Sequence, residues 1–295
     1  MKIGFIGLGR MGGNMVLRLL ETGHTVVANN RSPEPTKAVM RKGAIGSNSI
    51  DELITKLPKK KIIWLMVPAG DVVDSLIKQI IPLLKRGDII IDGGNSYYKD
   101  SIRHAKALKK KGIKFLDCGT SGGIEGARHG ACMMVGGEKK VFTQVEKLFK
   151  DLCVKDGYGY MGASGAGHFV KMVHNGIEYG MMSAIAEGMN AIDKQNFKTD
   201  LKIVAKVYAN GSIIEGRLMK WLLKGMDRPY YNKIPGTVPQ GETEKEMELL
   251  EKLVPMPVLK QARLTRVKTR KNPSLIGRII AVMRNEFGGH AFKKE

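Results

Sequence analysis

Cysteine, aromatic residues, acidic charge and long apolar runs are all scarce in this sequence, and each shortage excludes something. Cys118, Cys132 and Cys153 are the only cysteines in 295 residues. They are too few and too scattered for a disulfide framework and form no CxxC pair, so a reducing compartment is expected. The longest apolar run, Ile62 to Val67, has the length of a strand and not of a membrane span. Glycines at 4, 7, 9, 12 and 13 interrupt any signal-peptide core after Met1-Lys2, which predicts a soluble, cytoplasmic protein with no membrane attachment. No HxH, HExxH or carboxylate cluster offers a metal site, so no metal is expected. Acidic residues number 28 against 49 lysines and arginines, a net charge of +21. That excess implies an anionic substrate, an acidic partner or nucleic acid, without choosing among them.

What is present is ample core, 43% hydrophobic residues, and length enough for two domains. Lys2 to Ile6 reads as a short buried strand. Gly7-Leu8-Gly9-Arg10-Met11-Gly12 follows, and then the amphipathic run Asn14 to Glu21. This is G-x-G-x-x-G in the setting it requires, between a strand and a helix. The first glycine permits the turn, the second lets backbone approach a pyrophosphate, and the third lets the helix pack on the strand, so that helix amides meet the phosphates. The next strand, Thr25 to Ala28, leads to Asn30-Arg31-Ser32, with no carboxylate before Glu34. A carboxylate there would accept the ribose hydroxyls of NAD. Arg31 and Ser32 can instead pair with a 2′-phosphate, which favours NADP over NAD.

Strand and helix patterns then alternate: a helix around Ser49 to Leu57, a strand Lys61 to Val67, a helix from Asp71 and a strand Asp88 to Asp92. A helix around Lys99 to Lys111, a strand Ile113 to Asp117, then Ala131 to Val135, a helix Lys139 to Asp151 and Tyr158 to Tyr160 complete the series. The pattern predicts an α/β fold, a Rossmann-type doubly wound and mostly parallel sheet, over residues 1–162. Its ligands belong at the carboxyl ends of the strands. There lie Val67-Pro68-Ala69-Gly70, then Asp92-Gly93-Gly94-Asn95-Ser96, and then a second glycine-rich loop, Cys118 to Gly123. Asn95, and Ser121 with the Gly122 and Gly123 amides, suit a polyhydroxylated or carboxylated ligand.

Residues 163 to 194 are the stretch that organises the rest. The small residues Ala163 to Gly167 lead into a long helical run without proline. Lys171, His174, Asn175 and Glu178 fall on one helical face, with Lys171 and Glu178 about 10 Å apart along the axis. Such a pair could hold a polar substrate and handle protons at both ends. Met172, Val173, Ile177, Met181 and Met182 and several glycines surround that face, so its charges need partners.

With these residues in view the sequence resembles 6-phosphogluconate dehydrogenase (decarboxylating), in its short-chain branch. GLGRMG, NRS, VPAG, IDGGNS, GTSGG and above all KMVHNGIEYG carry the likeness from residue 3 to about 188. It resumes at Arg284-Asn-Glu-Phe-Gly-Gly-His290. The resemblance implies Lys171 as the base on the C3 hydroxyl and Glu178 as the acid that protonates C1. It implies Asn95, Ser121, Gly122, Gly123, His174 and Asn175 as sugar-acid ligands, Tyr179 and, more loosely, Arg263 on the phosphate, and Arg284 and His290 reaching a neighbouring subunit's site in a homo-oligomer. Gly7 to Gly12, Asn30 to Ser32, Val67 to Ala69 and Asn95 would hold the cofactor. Lys171 must be neutral to act, so burial and neighbouring cations are expected to lower its pKa. At Gly241-Glu242-Thr243-Glu244-Lys245 the sequence departs from the family, with two acids where a base and an aromatic are usual.

Beyond Asp193 only helices are predicted, over Asp200 to Ala209, Ile213 to Leu223, Lys245 to Leu253, Pro257 to Lys268 and Leu275 to Asn285. They make residues 163–295 an all-helical domain for substrate binding and oligomerisation. Lys260 to Lys271 holds six basic residues but no interleaved aromatics, which argues against nucleic acid. The competing function is a 3-hydroxyacid dehydrogenase of the same fold. A third reading is a basic binding protein that uses the nucleotide domain as a scaffold.

Overall fold

A computed structural model describes residues 1–241 and 243–292. The chain divides into two compact units, Met1–Lys171 and Met172–Glu295.

Eight strands make one sheet in the first unit: β1 (Lys2–Ile6), β2 (Thr25–Asn29), β3 (Ile45–Gly46), β4 (Ile62–Leu65), β5 (Ile89–Asp92), β6 (Lys114–Ser121), β7 (Ala131–Gly137) and β8 (Cys153–Gly162). Their order is β3-β2-β1-β4-β5-β6-β7-β8. Every adjoining pair is parallel except β6 with β7. The sheet therefore reverses direction of growth between β1 and β4, the switch point where α/β sheets bind ligands. β4 (IIWL) and β5 (IIID) are buried along their whole length, as strands covered on both faces must be. Alternation divides them between two cores. Trp64 and Ile91 pack with Phe5, Leu116 and Phe149, and Ile63, Leu65 and Ile90 pack on the other face with Leu53, Val73 and Ile77.

The predicted doubly wound sheet is present, with three short elements the pattern did not reveal: β3 and the helices Pro33–Met40 and Gly123–His129. One expectation for the sheet is corrected. Cys118 to Ser121 is not loop but the end of β6, because antiparallel β7 pairs with it from Leu116↔Gly137 to Ser121↔Cys132. The chain turns only at Gly122 (φ 111°) and Gly123 (φ 64°), where left-handed backbone favours glycine.

In the second unit the described residues form helices and no strand. The helix Ala166–Asp193 runs into it, followed by Leu201–Tyr208, Arg217–Met226, Glu244–Leu253, Pro257–Thr269 and Leu275–Gly288. Asp200 caps one start, its side chain accepting from the Lys202 N–H at 2.8 Å, and Ser274 caps another. The helix expected from Ile213 begins instead at Arg217, after Gly216 in extended backbone. Met182, Met189, Leu222, Ile279, Val282 and Met283 form the core of this unit. Trp221 packs against it, 5.4 Å from the Phe287 ring. Among the described residues no helix is long and apolar enough to cross a membrane.

Candidate functional site

The glycine loop has the geometry of a phosphate cradle. Gly7 turns with φ 97°, and a Cβ there would lie 2.2 Å from the Met66 carbonyl oxygen. A Cβ on Gly12 would lie 2.0 Å from the Gly7 oxygen, so the helix Arg10–Glu21 can approach the strand only with glycine at that position. Gly9 differs: its Cβ would meet nothing within 4 Å, although it is the residue that precedes the helix. Open space in front of a helix N-terminus, with no packing reason for the glycine beside it, fits a bound pyrophosphate. The donor set and this space fit NAD(P).

Asn30 ties the loop to the end of β2. Its Oδ1 accepts the Leu8 N–H at 2.9 Å, and its Nδ2 donates to the Ser32 hydroxyl at 3.1 Å. Arg31 and Ser32 are exposed beside it. The last residue of β2, Asn29, is buried and donates to the Ser47 carbonyl at 3.0 Å, so no carboxylate ends this strand.

Because β1, β4, β5 and β6 run parallel, their carboxyl ends share one edge of the sheet. That places the loop after Gly7, Val67 to Gly70, Asn95 and Ser121 on one edge. Pro68 and Ala69 are exposed; Val67, Asn95, Ser121, Gly122 and Gly123 are half-buried. Under Asn95, buried Asp92 accepts the Gly94 N–H at 3.1 Å and the Ser96 hydroxyl at 2.7 Å, which fixes the turn. Lys171, half-buried, ends the same unit.

In the helical unit a second cluster forms around Tyr179. The Arg266 guanidinium lies 3.3 Å from the centre of its ring, and its hydroxyl meets that of Thr243 at 3.0 Å. Arg266 is 2% exposed, and its Nε has no hydrogen-bond partner among the described residues. Burial pushes Arg266 down to about 10, opposed by Tyr179 and Glu178 and reinforced by neighbouring Arg284. Burial also lowers Arg284, again against Tyr179 and Glu178. Arg284 donates to the Pro239 carbonyl at 2.8 Å. Two buried guanidiniums, a phenol and a carboxylate thus share one environment. Asn175 is buried, His174 and Glu178 half-buried, and the His174 ring is 3.4 Å from the Asn175 amide oxygen.

Arg263 and His290 make these contacts within the chain. Arg263 pairs with Glu251 at 2.7 Å and Glu248 at 3.2 Å. His290 packs edge-on against Phe287, 5.9 Å between centroids. The arginine on Tyr179 is Arg266, which the reading of the sequence passed over. Leu259, Ala262, Arg266 and Thr269 make the buried face of Pro257–Thr269, and Arg263 is only half-buried. Of the segment that departs from the family, Glu242 lies outside the described residues, Thr243 reaches Tyr179, and Glu244 pairs with Arg270.

A family model described as the NAD binding domain of 6-phosphogluconate dehydrogenase matches residues 2–162. A second, the C-terminal domain of the same enzyme, matches residues 167–194. Over 100% of both chains the protein is 41% identical to a Bacillus subtilis protein to which 6-phosphogluconate dehydrogenase activity is assigned provisionally. It is 38% identical to the NAD(+)-dependent, decarboxylating 6-phosphogluconate dehydrogenase of Haloferax volcanii, over 98% of each chain. Plasmodium falciparum 6-phosphogluconate dehydrogenase, solved with NADP+ and with 6-phosphogluconate, superposes with a TM-score of 0.84 at 32% identity. That match covers 91% of this chain and 62% of the Plasmodium chain.

Proposed function

Since the chain belongs to the 6-phosphogluconate dehydrogenase family, we propose that it converts 6-phosphogluconate and NADP to ribulose 5-phosphate, carbon dioxide and NADPH, a step of the pentose phosphate pathway. The observation that carries this reading is the pair of buried arginines beside Tyr179 and Glu178. A guanidinium kept from water without its full set of hydrogen bonds is costly unless an anion completes it. A phosphate dianion answers that need for both guanidiniums, whereas the single carboxylate of a small unphosphorylated hydroxy acid answers it for one.

Gly7 to Gly12, Asn30 to Ser32, Val67 to Ala69 and Asn95 hold NADP, which when bound accepts hydride. Lys171 takes the proton of the C3 hydroxyl. Oxidation at C3 makes a β-keto acid, and the protonated Lys171 amine then polarises the new carbonyl so that carbon dioxide leaves. Glu178 protonates C1 of the resulting enol. Asn95, Ser121, Gly122, Gly123, His174 and Asn175 orient the sugar acid. Tyr179 takes its phosphate with Arg266 and Arg284. Arg266 replaces Arg263, which is engaged by two carboxylates. Arg284, expected to reach a neighbouring subunit, serves its own chain's site because it lies buried beside Tyr179 and Glu178 there. The enzyme works in the cytoplasm as a homo-oligomer.

The test is an assay of the wild-type protein and Lys171→Ala with 6-phosphogluconate and each cofactor, following reduced cofactor and carbon dioxide together. Equal release of both products, lost in Lys171→Ala, supports the reading. Reduced cofactor without carbon dioxide would point to a 3-hydroxyacid dehydrogenase instead, and turnover undiminished in Lys171→Ala would refute the lysine's role.

A further inference from the structure

We infer that Asp117 is a positioning residue for Lys171, acting through the first turn of the helix that carries it. This rests on the reading of Lys171 as the base. Asp117 is fully buried near the middle of β6, yet it bonds across to a different element. Its Oδ1 accepts the Gly165 N–H at 2.7 Å and its Oδ2 accepts the His168 N–H at 3.0 Å. The helix Ala166–Asp193 begins between those two donors. The first N–H groups of a helix lack partners within it. Here a carboxylate from the sheet meets them, where a negative charge is also favoured by the helix dipole.

The same strand touches Lys171 itself. Residues 117 and 119 point to the same face of the sheet, about 7 Å apart. A Cβ on Gly119 would lie 2.3 Å from Lys171 Cβ and 2.9 Å from its Cγ, so the bare backbone at 119 receives the stem of the lysine. Between them Gly167 lies so close to β6 and β7 that its Cβ would be 2.6 Å from the Asp117 carbonyl oxygen and 2.5 Å from that of Met134. Strand and helix are therefore locked at three successive points: a carboxylate on the helix start, a glycine against backbone, and a glycine under the lysine. A Cβ on Gly136 would come within 2.7 Å of both Asp117 carboxylate oxygens. That leaves no room for a longer acid. Asparagine at 117 would keep one acceptor and turn an N–H donor toward a second N–H, so the helix start must shift.

Reacting groups displaced by about 1 Å can lose on the order of a hundredfold in rate. In the full chain with 6-phosphogluconate and NADP, Asp117→Asn is expected to lower kcat about 10- to 100-fold. KM and the NADP dissociation constant should stay within about twofold, a split that general loosening of the fold would not give. Gly119→Ala, which displaces the Lys171 stem without touching the carboxylate, is expected to do the same. It decides the question if Asp117→Asn does not fold. Wild-type kcat in either folded variant, with Lys171→Ala inactive, would overturn the positioning role and leave the lysine's role standing. Full turnover in Lys171→Ala would overturn both.

Discussion

The Arg266 guanidinium lies 3.3 Å from the centre of the Tyr179 ring and is 2% exposed. Flat contact with a π face replaces water on one side of the cation, and burial still pushes its pKa down to about 10. A charge held in this state contributes little to folding, and on the proposed reading the substrate phosphate completes it. In Arg266→Met the apolar stem is retained and the buried charge removed, so Tm should hold or rise. KM for 6-phosphogluconate should rise about 10- to 100-fold, the worth of a charge-assisted hydrogen bond of about 1.5–3 kcal/mol. Steady-state kinetics beside a thermal melt checks both; an unchanged KM would remove Arg266 from the phosphate.

Gly9 and Gly12 should fail differently when replaced. Gly12→Ala puts a methyl 2.0 Å from a backbone oxygen and is expected to destabilise the nucleotide-binding unit and abolish cofactor binding together. In Gly9→Ala the methyl meets no protein atom, and the backbone at φ −64° accepts alanine. Tm should therefore be unchanged while NADP binding weakens at least about 10-fold, because the methyl occupies the phosphate's space. Titration of each variant with NADP, next to its melting curve, separates the two.

Arg31 stands exposed at the end of β2 beside Ser32 and the fixed amide of Asn30. Arg31→Ala should lower kcat/KM with NADP by about 10-fold and leave the value with NAD within about twofold, as expected for one lost charge-assisted contact to a 2′-phosphate. An equal fall with both cofactors would mean that Arg31 does not read the phosphate.

His24 links the chain's amino group to Asp151. Its Nδ1 is 3.2 Å from the Met1 nitrogen and its Nε2 is 2.7 Å from Asp151 Oδ2. Burial lowers its pKa; Asp151 opposes this, while the amino terminus and Lys147 add to it. A histidine with a depressed folded pKa binds its proton more readily unfolded. Its stabilising contribution is therefore complete above the unfolded value of about 6.5 and is lost as pH falls through the folded pKa. Tm should decline as pH drops below about 6.5, and decline less in His24→Gln. Parallel slopes for the two proteins would show that His24 is not responsible.

Much of this was open to inspection in the sequence. The glycine loop, the alternation of strand and helix and the run from Lys171 to Tyr179 are local patterns, set by backbone sterics and a 3.6-residue or two-residue period. They survive in a one-dimensional reading. β6 was read short because its last residues are stabilised by β7, a partner that glycine-rich composition conceals. The family resemblance points to Arg263, because a likeness along the chain does not show which guanidinium faces the core.

The sequence by itself determined the class of fold, the family and the identity of the loop that suits a dinucleotide, since each depends on residues adjacent in the chain. Only the tertiary structure decided that Asp117 anchors a helix that starts 49 residues later, at Ala166, that Gly119 is the floor beneath Lys171, and that Arg266 is the arginine on Tyr179. The physical reason is common to all three. Burial, and the satisfaction of a buried charge, are properties of surroundings assembled from distant segments, and no spacing along one segment encodes them.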